Sequence, residues 1–89
     1  MPDPSQQPVI TLVTSPAELG KAIRIARGAM GLSLREAAER AGVGKRFALE
    51  LEQGKSSARL DKVLALMAAV NLLAIIVPLE EAMAALGPK

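Results

Sequence analysis

Cysteine, histidine, tryptophan and tyrosine are all absent from this 89-residue chain, and Phe47 is its one aromatic. Each absence removes a class of protein. Without cysteine there is no disulfide framework, and without cysteine and histidine there is no common metal site. Nucleophilic and acid–base chemistry falls to Ser, Asp, Glu and Lys alone, and no catalytic constellation stands out among them. No enzyme activity, metal or cofactor is expected. The scarcity of aromatics, beside abundant alanine and leucine, points to helices and away from a β-sandwich. Long apolar runs are missing too. The longest, Leu72 to Leu79, is about eight residues, against the roughly 20 that cross a bilayer. Met1-Pro2-Asp3-Pro4 has neither the basic nor the apolar region of a signal peptide. A cytoplasmic protein with no membrane partner is expected. At this length one small domain buries only about 60% of its unfolded surface, so it leans on oligomerisation.

What is present is unevenly spread. The net charge is +2. Between Lys21 and Lys62, however, lie ten Lys/Arg and five Asp/Glu, a balance of +5. The remaining residues, Lys89 against Asp3, Glu18, Glu80 and Glu81, carry −3. Positive charge gathered in the middle suggests a polyanionic partner, where a merely solvated face is the alternative.

Along the chain, Met1 to Pro8 is a polar, proline-rich lead. Val9-Ile10-Thr11-Leu12-Val13 is β-branched and bounded by Pro8 and Pro16, which predicts a short strand. Ser15-Pro16-Ala17-Glu18 predicts a helix start with a capping box, and Gly31 its end. Ser33 and Glu36 form a second capping box, and Gly42 stops that helix after about two turns. A third helix is predicted from Lys45 to about Gln53, and a fourth from about Arg59 to Val70. The β-branched segment Leu72 to Leu79 then predicts a strand, followed by a short helix over Glu80 to Leu86. The domain reading is an arm over 1–14, a helical domain over 15–71 and a C-terminal tail over 72–89.

Two short helices joined by Gly42-Val43-Gly44 have the outline of a helix-turn-helix. Steeply crossing helices need small side chains, supplied by Ala37, Ala38, Ala41 and Ala48. The sharp turn needs a positive φ, which Gly42 adopts without steric cost. Val43 and Leu51 are expected to plug the angle. Lys45 and Arg46 then stand where a recognition helix presents its first residues to the major groove. An ordinary αα-hairpin is the alternative for the same pattern.

Residues Leu19 to Leu66 resemble the lambda-repressor-like, or Xre-type, helix-turn-helix domain. The resemblance is carried by Leu19-Gly20-Lys21-Ala22-Ile23-Arg24, Arg27, Gly31-Leu32-Ser33, Glu36-Ala37-Ala38, Ala41-Gly42-Val43 and Leu51-Glu52-Gln53-Gly54-Lys55. It implies a bundle of four to five helices, with Arg27 and Glu52 paired between the first and third. Two positions depart from the family. Leu34 stands where many members carry a phosphate-gripping Gln, a role left to Arg35 or the backbone N–H groups of that helix start. Gly44 stands where a capping Ser/Thr is usual. The run Arg46-Phe47, Leu51 to Lys55 and Ala58 to Leu64, followed by a hydrophobic strand, is similar to HipB-like antitoxins. That resemblance implies a dimer that represses its own operon and holds a HipA-like Ser/Thr kinase toxin.

On this reading Lys45 and Arg46 contact base edges, with guanine O6/N7 the best match, and Glu50 reads cytosine or orients its neighbours. Phe47 touches a thymine methyl or packs on the first helix. Arg35, Gln53, Lys55, Ser56 and Arg59 meet phosphates of a double-stranded operator. Leu73, Ile75, Ile76 and Val77 lie in a dimer interface, where the C-terminal strand pairs with its mate, with the N-terminal strand, or with both. A stand-alone phage-type regulator and a protein-interaction domain that does not bind DNA are the competing readings.

Overall fold

A computed structural model describes residues 10–86. It holds α1 (Pro16–Ala29), α2 (Leu34–Ala41), α3 (Lys45–Glu52), α4 (Leu60–Ala69) and α5 (Leu79–Leu86). α2 packs on α3 and α4, and α1 packs on α3. The core between them is made of Ile23, Leu32, Ala37, Ala38, Ala48, Leu51, Val63, Leu66, Met67 and Val70. The crossing alanines Ala37, Ala38 and Ala48 are buried, Ala41 is half-buried, and Val43 packs on the same core.

The starts of α1 and α2 follow from their caps. Ser33 Oγ accepts the Glu36 N–H at 3.1 Å, and Glu36 Oε1 accepts the Ser33 N–H at 2.8 Å, so the expected capping box is complete. At α1 the arrangement is shifted. Ser15 Oγ accepts from the Glu18 N–H, but Glu18 Oε1 takes the Thr14 N–H at 2.6 Å and the Thr14 hydroxyl at 2.7 Å. The carboxylate thus ties down the residue before the cap.

The first four helices stop alike. Gly31, Gly42, Gly54 and Asn71 each take a positive φ just past the last turn. The following N–H then bonds back to a carbonyl five residues earlier: Leu32 to Arg27, Val43 to Ala38, Lys55 to Glu50 and Leu72 to Met67. This Schellman geometry turns the chain sharply and satisfies carbonyls the helix leaves open. It also aims Leu32, Val43 and Leu72 back onto the core.

Gly20 sets the approach of α1 to α3. A Cβ there would lie 2.7 Å from the Glu52 carbonyl oxygen and closer still to that of Leu51. Only a residue without a side chain lets the two backbones meet.

Neither expected strand is formed. Among the described residues there is no β-strand, and 10–14 and 72–78 are irregular; Val9 lies outside them. The reason is physical: a strand exists through hydrogen bonds to a neighbour, and no backbone bond joins these two segments. β-branched composition alone supplies none. The tail therefore leaves Leu73, Ile75 and Ile76 exposed by 84%, 75% and 97%, with Val77 and Leu79 also exposed.

Candidate nucleic-acid interface

α3 presents one buried and one outward face. Ala48 and Leu51 point into the core. Lys45 and Arg46 are exposed at the N-terminal end of the outer face, with Glu50 half-buried one turn on. Glu50 binds two of the predicted cations together. Arg46 Nε lies 3.6 Å from one of its carboxylate oxygens and Lys55 Nζ 3.3 Å from the other. Glu50 is thus paired with Arg46 and Lys55 at once.

Phe47 is half-buried against the core on the side of α4. It shares a shallow depression with Lys55, Ala58, Arg59 and Lys62, and the Lys62 ammonium sits 5.8 Å from its ring centroid. Arg59 donates two bonds to Asp61, at 2.7 and 3.2 Å, which hold the Asp61 carboxyl below its ordinary range. The Arg59 guanidinium is thus engaged by Asp61. Arg35, Gln53 and Ser56 are exposed, on α2, at the end of α3 and in the loop before α4 respectively. At the start of α2 the capping box engages the N–H groups of Ser33 and Glu36. Leu73, Ile75, Ile76 and Val77 belong to the irregular tail and not to the helix pair.

Beneath this surface Arg27 and Glu52 form a two-point ion pair between α1 and α3. Nε meets one carboxylate oxygen at 2.7 Å and Nη2 the other at 2.9 Å. Nη1 donates to the Leu32 carbonyl at 3.0 Å, tying the turn between α1 and α2 to the same group. The bonds to Glu52 raise the Arg27 pKa further above its already high ordinary value. The Glu52 side chain is 5% exposed, and its carboxylate is taken up by Arg27, so it anchors α3.

Four residues outside the predicted set, Leu49, Lys21, Arg24 and Leu34, share one groove. Leu49 is exposed on α3, and it lines the groove with Lys21 and Arg24 of α1, Leu34 of α2, Gln53 and the Arg27–Glu52 pair. The signal was in the spacing: Lys45, Leu49 and Gln53 recur every fourth residue and so share one helical line.

Residues 18–74 match the helix-turn-helix domain family, and this span is more than half of the chain. The chain belongs to that family. The helix-turn-helix domain is also similar to an uncharacterized HTH-type transcriptional regulator of Sinorhizobium fredii. The two are 44% identical over 52 residues, covering 58% of this chain and 68% of that protein. The family span takes in α1 to α4 and ends at the start of the irregular tail, so the helix-turn-helix domain comprises the four helices that share the core. No helix among the described residues is long and apolar enough to cross a membrane.

Proposed function

We propose that this helix-turn-helix protein represses transcription by binding a double-stranded operator as a dimer, with α3 in the major groove. One observation carries the reading: Lys45 and Arg46 stand exposed at the leading end of the second helix of a helix-turn-helix. In this role they donate to guanine O6/N7, and Glu50 orients Arg46 while keeping Lys55 beside it. Phe47 supports α3 from the α4 side. Arg35, Gln53, Lys55, Ser56 and Arg59 meet phosphates, which fixes register without reading sequence.

The tail completes the reading. Leu73, Ile75, Ile76 and Val77 bring their apolar side chains to a second copy, where residues 72–77 gain the strand partner that one chain lacks. Exposure of four neighbouring apolar residues supports this. The resemblance of Arg46 to Leu64 to HipB-like antitoxins extends it further: the dimer holds a HipA-like Ser/Thr kinase toxin. A kinase-like reading frame beside this one, with a product that co-purifies with the chain, is the expected observation for that part.

The test of DNA binding is a direct comparison. The full chain, at fixed salt, is titrated with a duplex from upstream of its own reading frame and with a random duplex of equal length. Tighter binding to the upstream duplex is expected. Equal affinity for both removes the operator, and no binding to either leaves the helix pair as a protein-interaction surface.

A further inference from the structure

The outer face of α3 carries one large apolar side chain among charged and polar ones. Leu49 is 42% exposed and lies in line between Lys45 and Gln53. It does no core work, since Ala48 and Leu51 fill that side of the helix. The groove it lines joins Leu49 and the half-buried Leu34 to Lys21, Arg24 and Gln53, with the mutually paired Arg27 and Glu52 completing the lining. The Glu52 carboxylate is held by Arg27, so the groove offers two apolar side chains beside the exposed cations Lys21 and Arg24, which is complementary to the edge of a duplex with its phosphates and apolar groups. In the major groove, base pairs offer one apolar group, the C5-methyl of thymine. Phe47, the other side chain on α3 able to touch a methyl, is turned to the core and Lys62.

We propose that Leu49, backed by Leu34, contacts a thymine C5-methyl in the operator, and that Lys21 and Arg24 meet the phosphates beside it. This rests on the DNA-binding reading above. It makes Leu49 a specificity-determining residue: an A·T pair is required where it lands, although no hydrogen bond from this side chain reads it. The departure at Leu34 acquires a function on the same ground, as the second wall of the methyl site.

The experiment removes one methyl at a time. A preferred duplex is selected from a random pool with the full chain, and each thymine in it is replaced singly by deoxyuridine, which deletes the C5-methyl and nothing else. At one thymine per bound chain, wild type is expected to lose about fourfold in affinity, the value of burying roughly one methyl group. Leu49→Ala is expected to bind the thymine and deoxyuridine duplexes alike. Its side chain is exposed and alanine is the better helix former, so the variant keeps its fold, which far-UV circular dichroism checks. A wild type indifferent to every replacement, or a Leu49→Ala chain with wild-type sensitivity, overturns the assignment and leaves operator binding standing. A pool from which no sequence is enriched overturns the DNA-binding reading and this inference with it.

Discussion

Arg46 and Lys55 hang on the two oxygens of one carboxylate, yet the proposed interface gives them different kinds of contact. Arg46 projects from α3 with a side chain 90% exposed, whereas Lys55 follows the helix, where the duplex backbone would run. Arg46→Ala is expected to cost about 1–3 kcal/mol at its own base pair and to relax preference there. Lys55→Ala is expected to weaken specific and random duplexes equally and to flatten the salt dependence. Affinities of both variants across a salt series check the two outcomes; equal losses on specific and random duplexes for Arg46→Ala would remove it as a base reader. Glu52 is a residue of another kind. Its carboxylate is almost fully enclosed while a fifth of the Arg27 side chain reaches water. Glu52→Ala therefore strands a largely enclosed guanidinium, and about 3 kcal/mol of stability is expected to go, the low end for a broken buried pair. Urea unfolding measures it, and an unchanged midpoint would mean that the pair contributes nothing.

The elements differ in how well their ends are held. α2 has both halves of a capping box, whereas α3 begins at Gly44 with no side-chain cap. Gly44 has an ordinary extended backbone, φ −72° and ψ 150°, and open space where a Cβ would stand. Gly44→Ser is therefore expected to stabilise the chain by about 0.5 kcal/mol, by adding a cap and removing unfolded-state freedom. A rise in melting temperature is the readout. The caps also set the response to acid. Bonds from the Ser33 N–H and hydroxyl hold the Glu36 carboxyl below its ordinary value, and the Thr14 hydroxyl and N–H do the same for Glu18. These groups bind protons less readily when folded than when unfolded. Their stabilisation is present above the ordinary carboxylate range and is lost as pH falls through the lower folded values. Melts taken from about pH 7 to about pH 3 are expected to drop only at the acid end. Glu36→Gln should make that drop shallower, and an identical acid profile would rule out the cap as its source.

At the scale of the whole molecule, the four packed helices and the tail answer to different requirements. The core satisfies itself within one chain, and no polar side-chain atom is buried without a partner among the described residues. The tail does not, since Ile76 is 97% exposed. In the proposed dimer this segment sets the spacing of two α3 helices, so an operator with half-sites about 34 Å apart, or a multiple of that, is expected. Ile76→Asp places a charge in the seam. Analytical ultracentrifugation at micromolar concentration is expected to find wild type dimeric and the variant monomeric. A monomeric wild type, or a variant that stays dimeric, would show that the tail is not the seam.

The helices were legible from their ends. Ser33 with Glu36, Pro16 at the first turn, and the stops at Gly31, Gly42, Gly54 and Asn71 act within five residues. Such short-range bonds form whatever the rest of the chain does, and boundaries came within a residue or two. The alanines of the crossing were legible for a similar reason, because steeply packed helices leave room for little else. Three features needed the tertiary structure. The close approach at Gly20 and the grip of Glu52 on Arg27 join residues more than twenty positions apart, so the ion pair was reached only through the resemblance to a family and the approach at Gly20 only through the structure. Leu49 shares a helical line with Lys45 and Gln53, but packing decided that this line faces outward by assigning the inner face of α3 to Ala48 and Leu51. The tail failed in the opposite direction. Its β-branched residues favour a strand, but a strand takes its hydrogen bonds from a neighbour, and one chain of this fold places none beside residues 72–78.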